Sequence, residues 1–413
     1  MKIIEKTNLL GTNRILKMSL QSIFVAFLFS YFLSSCTEEK ATGKTITVKN
    51  PLDIDRQSET IALDLTKLKD LTEKSTAENI LVKDANGNVL VRQLIDYDQD
   101  GTPDELLFQT DIKANGELSF SLTIEENGAS QQVESKLTTF SRFVPERTDD
   151  YTWENDKVAF RTYGPTGQKE ALEGVPGSTL SSGMDLWLKR TDQSIIDKWY
   201  AEHLKSPGYY HIDHGEGYDP YHVGGSRGTG GLGIWNRDSL LVSQNFTEYK
   251  TIATGPIRTV FDLTYAPWSE YGLKETKRIS LDLGSNFSKY EVSLNADQSI
   301  PNITVGLTMH DGAGEAKLKP EEGWVRHWEK IDDAWVGEGI VFNTATLDSA
   351  FSNTSDVPDQ KQILVVNKPT EKLTYLAGFG WTKSGQVSSV EDWDALLAKE
   401  AKKFANPLEV TIK

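Results

Sequence analysis

The stretch from Tyr209 to Trp235 concentrates side chains that can accept or donate protons. It reads YYHIDHGEGYDPYHVGGSRGTGGLGIW and carries three of the six histidines of the chain. Neutral histidine is a competent base at about pH 7 to 8, and tyrosine can pass on a proton while it stays mostly protonated. The predicted catalytic residues are therefore His211, His214, Tyr218 and His222. The alternative is that each of them is a polar residue that only fixes the loop.

Arginines accompany these acids and bases and predict an anionic substrate. A guanidinium carries a permanent charge and binds a carboxylate through two parallel hydrogen bonds. The predicted substrate-binding residues are Arg147, Trp153, Arg161 and Arg227. Arg161 lies on the predicted strand KVAFRTYG, from which it could reach into a groove lined by a sheet. A structural ion pair with Glu146 or Asp156 is the alternative for the arginines upstream of the loop.

The histidine spacing does not favour a metal site, and we expect neither a metal ion nor another cofactor. A His-x-x-His pair binds a metal from one face only on a helix, and Pro207, Gly208, Gly215 and Gly217 oppose a helix around it. A three-histidine site that includes His222 across the loop stays open as an alternative.

A second segment, DYDQDGTPDE, resembles a calcium-binding loop of the D-x-D-x-D-G type through its acids Asp96, Asp98, Asp100 and Asp104. An EF-hand would need a glutamate at the twelfth position, where the chain has Leu107, and a helix on each side. A polar hairpin turn is therefore the favoured interpretation, and calcium binding is the alternative.

Several familiar catalytic motifs are missing from the sequence. The run GGSRGTGGLG lacks the Gly-Lys-Ser/Thr ending of a phosphate-binding loop, and its glycines instead suit tight turns close to a ligand. Gly224–Gly228 (GGSRG) has the G-x-S-x-G spacing of a serine-hydrolase elbow but opens no predicted helix, and Cys36 is the only cysteine. His310 ends a predicted strand, a common place for a turn and also for a site residue.

Short runs with a period of two dominate the chain and predict an all-β fold. We expect a large antiparallel β-sandwich of supersandwich-like type, preceded by a small β domain and with few short helices. The predicted boundaries are residues 45–140 for the small domain and 141–413 for the large catalytic domain. Two helices are expected, one in SIIDKWYAEHLK and a longer one that Ser389 can cap, with Asp392 three residues later.

Residues 1–35 are predicted to be a lipoprotein signal peptide. Four basic residues precede the apolar run IFVAFLFSYFL, which is too short to span a bilayer. Small residues before Cys36 resemble a lipobox, so Cys36 is the predicted lipidation site, followed by a lipid-anchored linker over residues 36–44. Glu38 and Glu39 resemble the short acidic export tag of surface lipoproteins, and this resemblance implies the cell surface rather than the periplasmic face of the outer membrane.

Composition limits the partners. The formal net charge of −16 argues against nucleic acid. Salt screens surface charge over a few ångströms, so an anionic ligand needs only local arginines. Ten tryptophans suit stacking on sugar rings. The expected partners are an anionic oligosaccharide and, through the lipid anchor, a membrane, and no protein partner is implied.

Several long blocks carry a resemblance to a known family: FVPERTDDYTWENDKVAFRTYGP, SGMDLWLKR, IIDKWY, HIDHGEGYDPYHVGGSRGTGGLGIW, and GPIRTVFDLTY with ETKRISLDLGSN. They resemble a family of Bacteroidota lipoproteins encoded in polysaccharide utilisation loci, which includes the ulvan oligosaccharide dehydratase. The resemblance covers nearly all of the chain after Cys36. It implies removal of water from the uronic acid at the non-reducing end of an oligosaccharide, which leaves a C4=C5 double bond.

The implied reaction suits the histidine-rich loop. A base must take the proton from C5, an acid must protonate the departing 4-hydroxyl, and a cation must neutralise the carboxylate. His211 or His214 would be the base, and Tyr218 or another histidine would be the acid. Arg227, helped by a second arginine, would bind the carboxylate.

Three other functions compete with the dehydratase. A polysaccharide lyase performs the same elimination but expels a sugar, so it shortens the polymer. An aldose-epimerase-like enzyme is suggested by analogy of fold alone. A non-catalytic surface glycan-binding lipoprotein would need only tryptophans and an anchor, although a cluster of titratable groups favours an enzyme.

Overall fold

The computed structural model describes residues 43–73, 75–357 and 359–413. The predicted signal peptide, the lipidation site Cys36 and most of the linker 36–44 lie outside these residues. Within the described ranges, antiparallel strands predominate and the α-helices are few and short. This confirms the prediction of an all-β sandwich.

Among the described residues, twenty-five strands form five sheets. The first eleven are β1 (Gly43–Lys49), β2 (Arg56–Asp64), β3 (Ile80–Lys83), β4 (Arg92–Ile95), β5 (Glu105–Ile112), β6 (Glu117–Ile124), β7 (Phe140–Val144), β8 (Asp150–Glu154), β9 (Ala159–Thr162), β10 (Asp185–Lys189) and β11 (Gly217–Tyr218). The others are β12 (Thr229–Asn236), β13 (Ser239–Leu241), β14 (Phe246–Ala253), β15 (Arg258–Trp268), β16 (Leu273–Asp282), β17 (Phe287–Asn295), β18 (Ile303–Thr308), β19 (Glu315–Lys319), β20 (Trp324–Ile331), β21 (Ala334–Phe342), β22 (Leu347–Asn353), β23 (Gln362–Asn367), β24 (Lys372–Trp381) and β25 (Glu409–Ile412).

The α-helices of the described ranges confirm both helix predictions. They are α1 (Lys69–Thr72), α2 (Pro165–Leu172), α3 (Ile196–Lys205) and α4 (Val390–Ala405). The Ser389 side chain accepts a hydrogen bond from the backbone N–H of Asp392, so it caps α4 as predicted. The sequence did not predict α2, which begins at Pro165. A proline suits the first helical position because its missing N–H would have no partner there.

Two small sheets form the N-terminal part of the fold. Their strand orders are β25-β1-β6-β3 and β2-β5-β4, and they share a core in which Phe108 packs edge-on against Phe120. The last strand of the chain pairs with the first, with Val410 opposite Val48. The C-terminal strand therefore belongs to a sheet of the N-terminal part.

Two larger sheets pack face to face and form the sandwich. One has eight strands in the order β14-β15-β16-β17-β24-β21-β20-β19, and the other has five in the order β13-β12-β18-β23-β22. Their inner faces bury one continuous apolar core, to which Ile303, Val305 and Leu307 of β18 contribute. This core supports the strands on which the candidate site is built.

Helix α4 covers the outer face of the eight-stranded sheet. A Cβ atom on Gly337 would lie 2.5 Å from the ring of Trp393, and one on Gly339 would lie 2.5 Å from the Leu397 side chain. These two glycines let the helix lie directly on β21.

The remaining sheet, which we call the third sheet because it packs beside the two sheets of the sandwich, has the order β11-β10-β9-β8-β7 and packs against α3. The chain leaves α3, contributes β11, and then crosses to β12 of the sandwich. Residues 209–228 therefore connect the third sheet to the sandwich, and they carry most of the predicted site residues.

Candidate functional site

The segment between β11 and β12 borders a pocket at one end of the eight-stranded sheet. The pocket has a volume of about 340 Å³. His222 lines it from the connecting segment, His310 lines it from the end of β18, and Glu329, Asp332 and Trp335 line it from the β20–β21 hairpin. We call these residues and the buried groups beneath them the histidine pocket.

Two paired strands supply the floor of the histidine pocket. In the register of β20 and β21, His327 lies opposite Glu338, and Glu329 follows His327 by two residues on the same face. All three side chains are buried, and those of His327 and Glu338 are fully enclosed. The sheet thus holds one imidazole and two carboxyl groups in its interior.

His310 joins this floor from the end of β18. Its backbone φ is 43°, in the left-handed region that few residues with a side chain adopt. Its Nδ1 lies 2.6 Å from Glu329 Oε1, and its Nε2 lies 2.8 Å from the backbone carbonyl oxygen of His222. Both ring nitrogens are therefore held, one by the floor and one by the connecting segment.

The floor groups shift one another's pKa values. Burial lowers the pKa of His310, but the hydrogen bond to Glu329 and the charge of that carboxylate outweigh burial and raise the pKa to about 9. Burial and the charge of Glu329 raise the pKa of Glu338 well above its usual range. Burial lowers the pKa of His327 to about 4. At neutral pH the floor therefore pairs a charged His310 with Glu329 beside a neutral His327, and the raised pKa of Glu338 favours its protonated form.

Tyr221 links the connecting segment to the floor. Its buried hydroxyl donates to Glu338 Oε2 at 2.8 Å, and the Thr229 hydroxyl donates to the same oxygen at 2.9 Å. The Tyr221 ring also packs edge-on against His310, with ring centroids 4.8 Å apart. Two donors thus fix one oxygen of the Glu338 carboxyl group.

His222 lies at the mouth of the pocket, and the buried Tyr218 contacts Asp332, one of the residues that line it. The Tyr218 hydroxyl donates to Asp332 Oδ2 at 2.8 Å, and burial together with this bond raises the pKa of Tyr218. The His222 side chain is 71% exposed, with Nε2 at 3.5 Å from Asp359 Oδ1. These two residues are the predicted catalytic residues that the structure brings to the histidine pocket.

The rim of the pocket carries an aromatic surface. Trp335 is 43% exposed, and its ring lies nearly parallel to that of Trp328, with centroids 6.0 Å apart. Exposed Lys330 lines the pocket beside it. An exposed tryptophan next to a cation is suited to contact an anionic sugar.

His211 and His214 lie outside the histidine pocket. His211 ends a short 3-10 turn, Tyr209–His211, and its Nδ1 lies 2.8 Å from the backbone oxygen of Asp219. The His214 ring stacks on Tyr209 at 4.0 Å, and its Nε2 lies 3.2 Å from the Tyr209 carbonyl oxygen. The two rings therefore have separate partners.

Arg161 lies in a buried ion cluster of the third sheet. Its side chain donates to Asp185 Oδ2 and to Asp219 Oδ2, each at 2.8 Å, and Asp150 Oδ2 lies 3.8 Å away. Arg161 therefore forms structural ion pairs, as the alternative to substrate binding supposed, but its partners are not Glu146 or Asp156. Sequence proximity suggested those two acids, but the sheet register brings Asp185 opposite Arg161.

Further groups surround this cluster. The Arg147 Nε donates to the Tyr210 hydroxyl at 3.2 Å, and the Tyr200 hydroxyl donates to Asp150 Oδ2 at 3.1 Å. Burial raises the pKa of Asp150 to about 6, although Arg161 and Arg147 act against it. Arg147 is thus partly buried beside the cluster rather than at the histidine pocket.

Arg227 and Trp153 are enclosed by the sandwich. Arg227 is 1% exposed, its Nη1 donates to the Ser182 hydroxyl at 2.7 Å, and burial lowers its pKa to about 10. Trp153 is fully buried and donates from Nε1 to the Ser288 hydroxyl at 2.8 Å. Neither side chain lines the pocket, so the structure gives both of them internal partners.

Sequence reasoning missed most of the pocket. The missed residues are His327, Glu329, Asp332, Trp335 and Glu338. One signal was available in the sequence of β20, WVRHWEKI. His327 and Glu329 lie two residues apart in it and therefore share one face of a strand that also carries two tryptophans. Charged groups in a core strand are costly unless they are paired, so such a pattern indicates a site or a network.

Two groups of side chains in the described residues have the spacing to hold a cation. One is His310, Glu329 and Glu338, whose ligand atoms lie within 4.8 Å of one another. The other is the predicted calcium loop, Asp96, Asp98 and Asp104. In that loop the Asp96 oxygens accept the backbone N–H groups of Gln99 and Gly101, as expected for a hairpin turn.

A larger cleft lies elsewhere, with a volume of about 700 Å³, between β2, α4 and the eight-stranded sheet. It is rich in cations, but several are paired with acids: Arg258 with Asp282, and Lys403 with Glu59. No histidine lines it. The histidine pocket is therefore the better candidate for acid–base chemistry although it is smaller.

None of the helices in the described ranges has the length and apolar character needed to cross a bilayer.

Comparison with known proteins yields a family match and distant structural neighbours. A family model described as a domain of unknown function, DUF4861, matches residues 48–410. "Uncharacterized protein P7" of Formosa agariphila is 44% identical over 385 residues, which cover 92% of this chain and 96% of that protein.

Among solved structures, the chain is similar to a protein of glycosyl hydrolase family 38 from Enterococcus faecalis. The TM-score is 0.49 at 10% identity, over 90% of this chain and 47% of the other. An α-mannosidase of the same species gives a TM-score of 0.45 at 9% identity, over 90% of this chain and 46% of the other. The chain thus spans about half the length of these structures.

Proposed function

We propose that this protein, which belongs to the DUF4861 family of unknown function, is an oligosaccharide dehydratase. It removes water from the uronic acid at the non-reducing end of ulvan-type oligosaccharides and leaves a C4=C5 double bond. One observation carries the proposal: a histidine, a fixed imidazolium–carboxylate pair and an exposed tryptophan line one pocket, and a tyrosine donates to an aspartate of the same lining.

His222 is the base in this proposal. Its side chain is exposed at the pocket mouth, where a substrate can reach it, and its Nε2 lies 3.5 Å from Asp359 Oδ1. The base removes the proton from C5, and the electron pair of that bond forms the C4=C5 double bond.

Tyr218 is the acid. Burial and the bond to Asp332 raise its pKa, so the hydroxyl stays protonated at neutral pH and can give a proton to the departing 4-hydroxyl. The 4-hydroxyl then leaves as water, which balances the proton taken from C5. Each of these two transfers is worth roughly 10² to 10⁴-fold in rate.

The substrate carboxylate must be neutralised while negative charge develops at C5. His310, held as an imidazolium by Glu329, and the exposed Lys330 are the positive groups that line the pocket. A fixed charge acts strongly in a partly enclosed site because it needs no reorganisation during the reaction. The sugar ring would stack on Trp335 at the rim.

Comparison of two variants tests these roles. His222→Ala and Tyr218→Phe should each lower the rate of formation of the unsaturated chromophore by about 10² to 10⁴-fold. His203→Gln is the matched control, because His203 lies on α3, stacks on Tyr210 and lines no part of the pocket. Wild-type rates in both pocket variants would refute the proposal.

The sequence-based alternative, in which His211 is the base, is decided by the same assay. His211 lies 3.6 Å from the buried Asp219 carboxylate and is 54% exposed. Loss of turnover in His211→Ala with retention in His222→Ala would move the site to the buried ion cluster.

We further propose that the protein is anchored to the outer membrane through a lipid on Cys36 and faces the cell surface. The supporting feature is the lipobox-like sequence LSSC followed by two acids. Labelling of cells with a palmitate analogue should mark the wild type and leave Cys36→Ser unmarked. Protease treatment of intact cells should degrade the protein, and survival of the protein would refute surface exposure.

A further inference from the structure

We propose that His310, His327, Glu329 and Glu338 bind one divalent transition-metal ion, with Zn²⁺ as the best chemical match. The site stands on its geometry alone, and only its link to the substrate carboxylate rests on the proposed function. Two imidazoles and two carboxylates form a common donor set for Zn²⁺ and for Mn²⁺, whereas calcium prefers an all-oxygen set.

The distances between the four side chains suit a single ion. His310 Nδ1 lies 2.6 Å from Glu329 Oε1, and His327 Nδ1 lies 3.9 Å from both Glu329 Oε1 and Glu338 Oε1. Tetrahedral ligands at about 2.1 Å from zinc are separated by roughly 3.4 Å, which lies between these values. The ligand atoms of His310, Glu329 and Glu338 all lie within 4.8 Å of one another, so small side-chain shifts would bring these three into contact with one ion, whereas His327 would need a larger shift to become the fourth ligand.

An independent observation comes from His327. It is fully buried, and neither ring nitrogen has a hydrogen-bond partner in the part of the chain that the structure describes. Its Nε2 faces Gly314, where a Cβ atom would lie only 2.2 Å away, so its Nδ1 faces the two carboxyl groups. Buried polar atoms are almost always satisfied, so this nitrogen indicates a missing ligand.

The surrounding bonds prepare the other ligands. The His310 Nε2–H group donates to the His222 carbonyl oxygen, and this bond would hold the ring while Nδ1, which lies 2.6 Å from Glu329, loses its proton and becomes a metal ligand. Tyr221 and Thr229 donate to Glu338 Oε2, while Glu338 Oε1 has no hydrogen-bond partner in the described structure. Such outer contacts are typical of metal centres, where they fix ring tautomers and carboxylate orientation.

The charge of the cluster fits the same ligand. With both carboxyl groups ionised, as metal ligands are, Glu329 and Glu338 repel each other, and neutral His310 and His327 rings leave two negative charges in the cluster. A divalent ion balances both. Because His310 and Glu329 line the histidine pocket, the ion would lie under its open side, where a substrate carboxylate or a water molecule could complete the coordination.

The rival cation group in the described chain lacks these features. Asp96, Asp98 and Asp104 are exposed or partly exposed, and their oxygens accept backbone N–H groups of their own turn. Among the described residues, the buried side-chain atoms without a hydrogen-bond partner include none from these three aspartates.

Metal content of the purified mature protein tests the proposal. The protein is stripped with chelator and then titrated separately with Zn²⁺, Mn²⁺ and Ca²⁺, and stoichiometry is read by elemental analysis and calorimetry. One equivalent of Zn²⁺ or Mn²⁺ per chain, with little Ca²⁺, is expected. Loading with Co²⁺ adds a spectroscopic test, because a site of low coordination number gives intense visible bands. Absence of stoichiometric uptake of both Zn²⁺ and Mn²⁺ would overturn the proposal.

Matched variants locate the ion. Glu338→Gln keeps the shape of the side chain and should weaken binding by about 100-fold or more. Glu275→Gln replaces another buried carboxyl group of the same sheet, one paired with Lys277, and should keep the wild-type affinity. The double variant Asp96→Asn/Asp98→Asn should also keep it. Wild-type affinity in Glu338→Gln, or loss of binding only in the aspartate variant, would overturn the proposal.

Failure of this proposal can be told apart from failure of the proposed function. Stoichiometric zinc without unsaturated product would leave the metal site and remove the dehydratase. Full turnover by chelated protein that takes up no metal would leave the dehydratase and remove the metal site.

Discussion

Replacement of Arg161 by methionine should destabilise the fold by about 3 to 5 kcal/mol. The Arg161 side chain is 6% exposed, donates to Asp185 and Asp219 at 2.8 Å, and has Asp150 close by. Its guanidinium also lies 5.2 Å from the ring centroid of Trp187. Methionine fills a similar volume but leaves buried carboxyl groups without their cation, so the cost comes from uncompensated charge rather than from a cavity.

Guanidinium unfolding of the wild type and the variant measures this cost as a shift of midpoint at similar slope. A second substitution, Asp185→Asn in the Arg161→Met background, should recover part of the loss because it removes one unpaired charge. The same proteins are assayed for turnover. An Arg161→Met protein with wild-type stability but no turnover would refute this reasoning and support the sequence-based prediction that Arg161 binds substrate.

Three further predictions concern pH, binding and a helix cap. Burial raises the pKa of Asp150 to about 6, whereas an aspartate in the unfolded chain releases its proton near pH 4. The free energy of unfolding should therefore fall by up to about 3 kcal/mol as the pH rises from 4 to 6. Asp150→Asn, compared with the wild type by unfolding at pH 4 and pH 7, should lack this fall. Trp335→Ala should raise KM several-fold with little change in kcat, whereas Tyr249→Ala, which removes an equally exposed aromatic ring on β14, should change neither; unchanged KM in Trp335→Ala would exclude stacking at the rim. Ser389→Ala removes the cap of α4 and should cost about 1 kcal/mol of unfolding free energy, and a cost near zero would show that the cap bond is unimportant.

Much of the fold was predictable because the residue patterns that identify strands and helix ends are local in the sequence. Alternation of apolar and polar residues identifies strands such as β16 and β17 without knowledge of their partners, and Ser389 with Asp392 identifies the start of α4. The return of β25 to β1 was not predictable, because strand pairing over the whole chain leaves no local pattern. The short helix α2 was not predicted, and its sequence PTGQKEAL contains a proline and a glycine, the two residues with the lowest helix propensity.

The candidate site was predictable only in part. The stretch from Tyr209 to Trp235 was identified from its composition, and it supplies Tyr218 and His222. The partners of these two residues lie far away in sequence. Tyr218 bonds to Asp332 and the His222 carbonyl bonds to His310, contacts that depend on the register of the eight-stranded sheet. Nothing in the sequence distinguishes an arginine that faces a pocket from one that pairs with buried aspartates.

A similar limit applied to the tryptophans. Trp153 and Trp335 both lie in polar surroundings in the sequence, yet one is buried in the core and the other is exposed at the rim of the histidine pocket. Burial follows from the packing of whole sheets, so residue type alone predicts the chemistry of a ligand better than it predicts which residue contacts it.

The most direct test of the central claim is the mass spectrum of the product formed from an oligosaccharide that ends in a saturated uronic acid. We predict loss of the mass of one water at unchanged chain length, together with a new ultraviolet chromophore, in the wild type and in His203→Gln but not in His222→Ala. Shortened oligosaccharides would contradict the claim and indicate a polysaccharide lyase. Unchanged mass with binding still measurable would contradict it and indicate a glycan-binding protein.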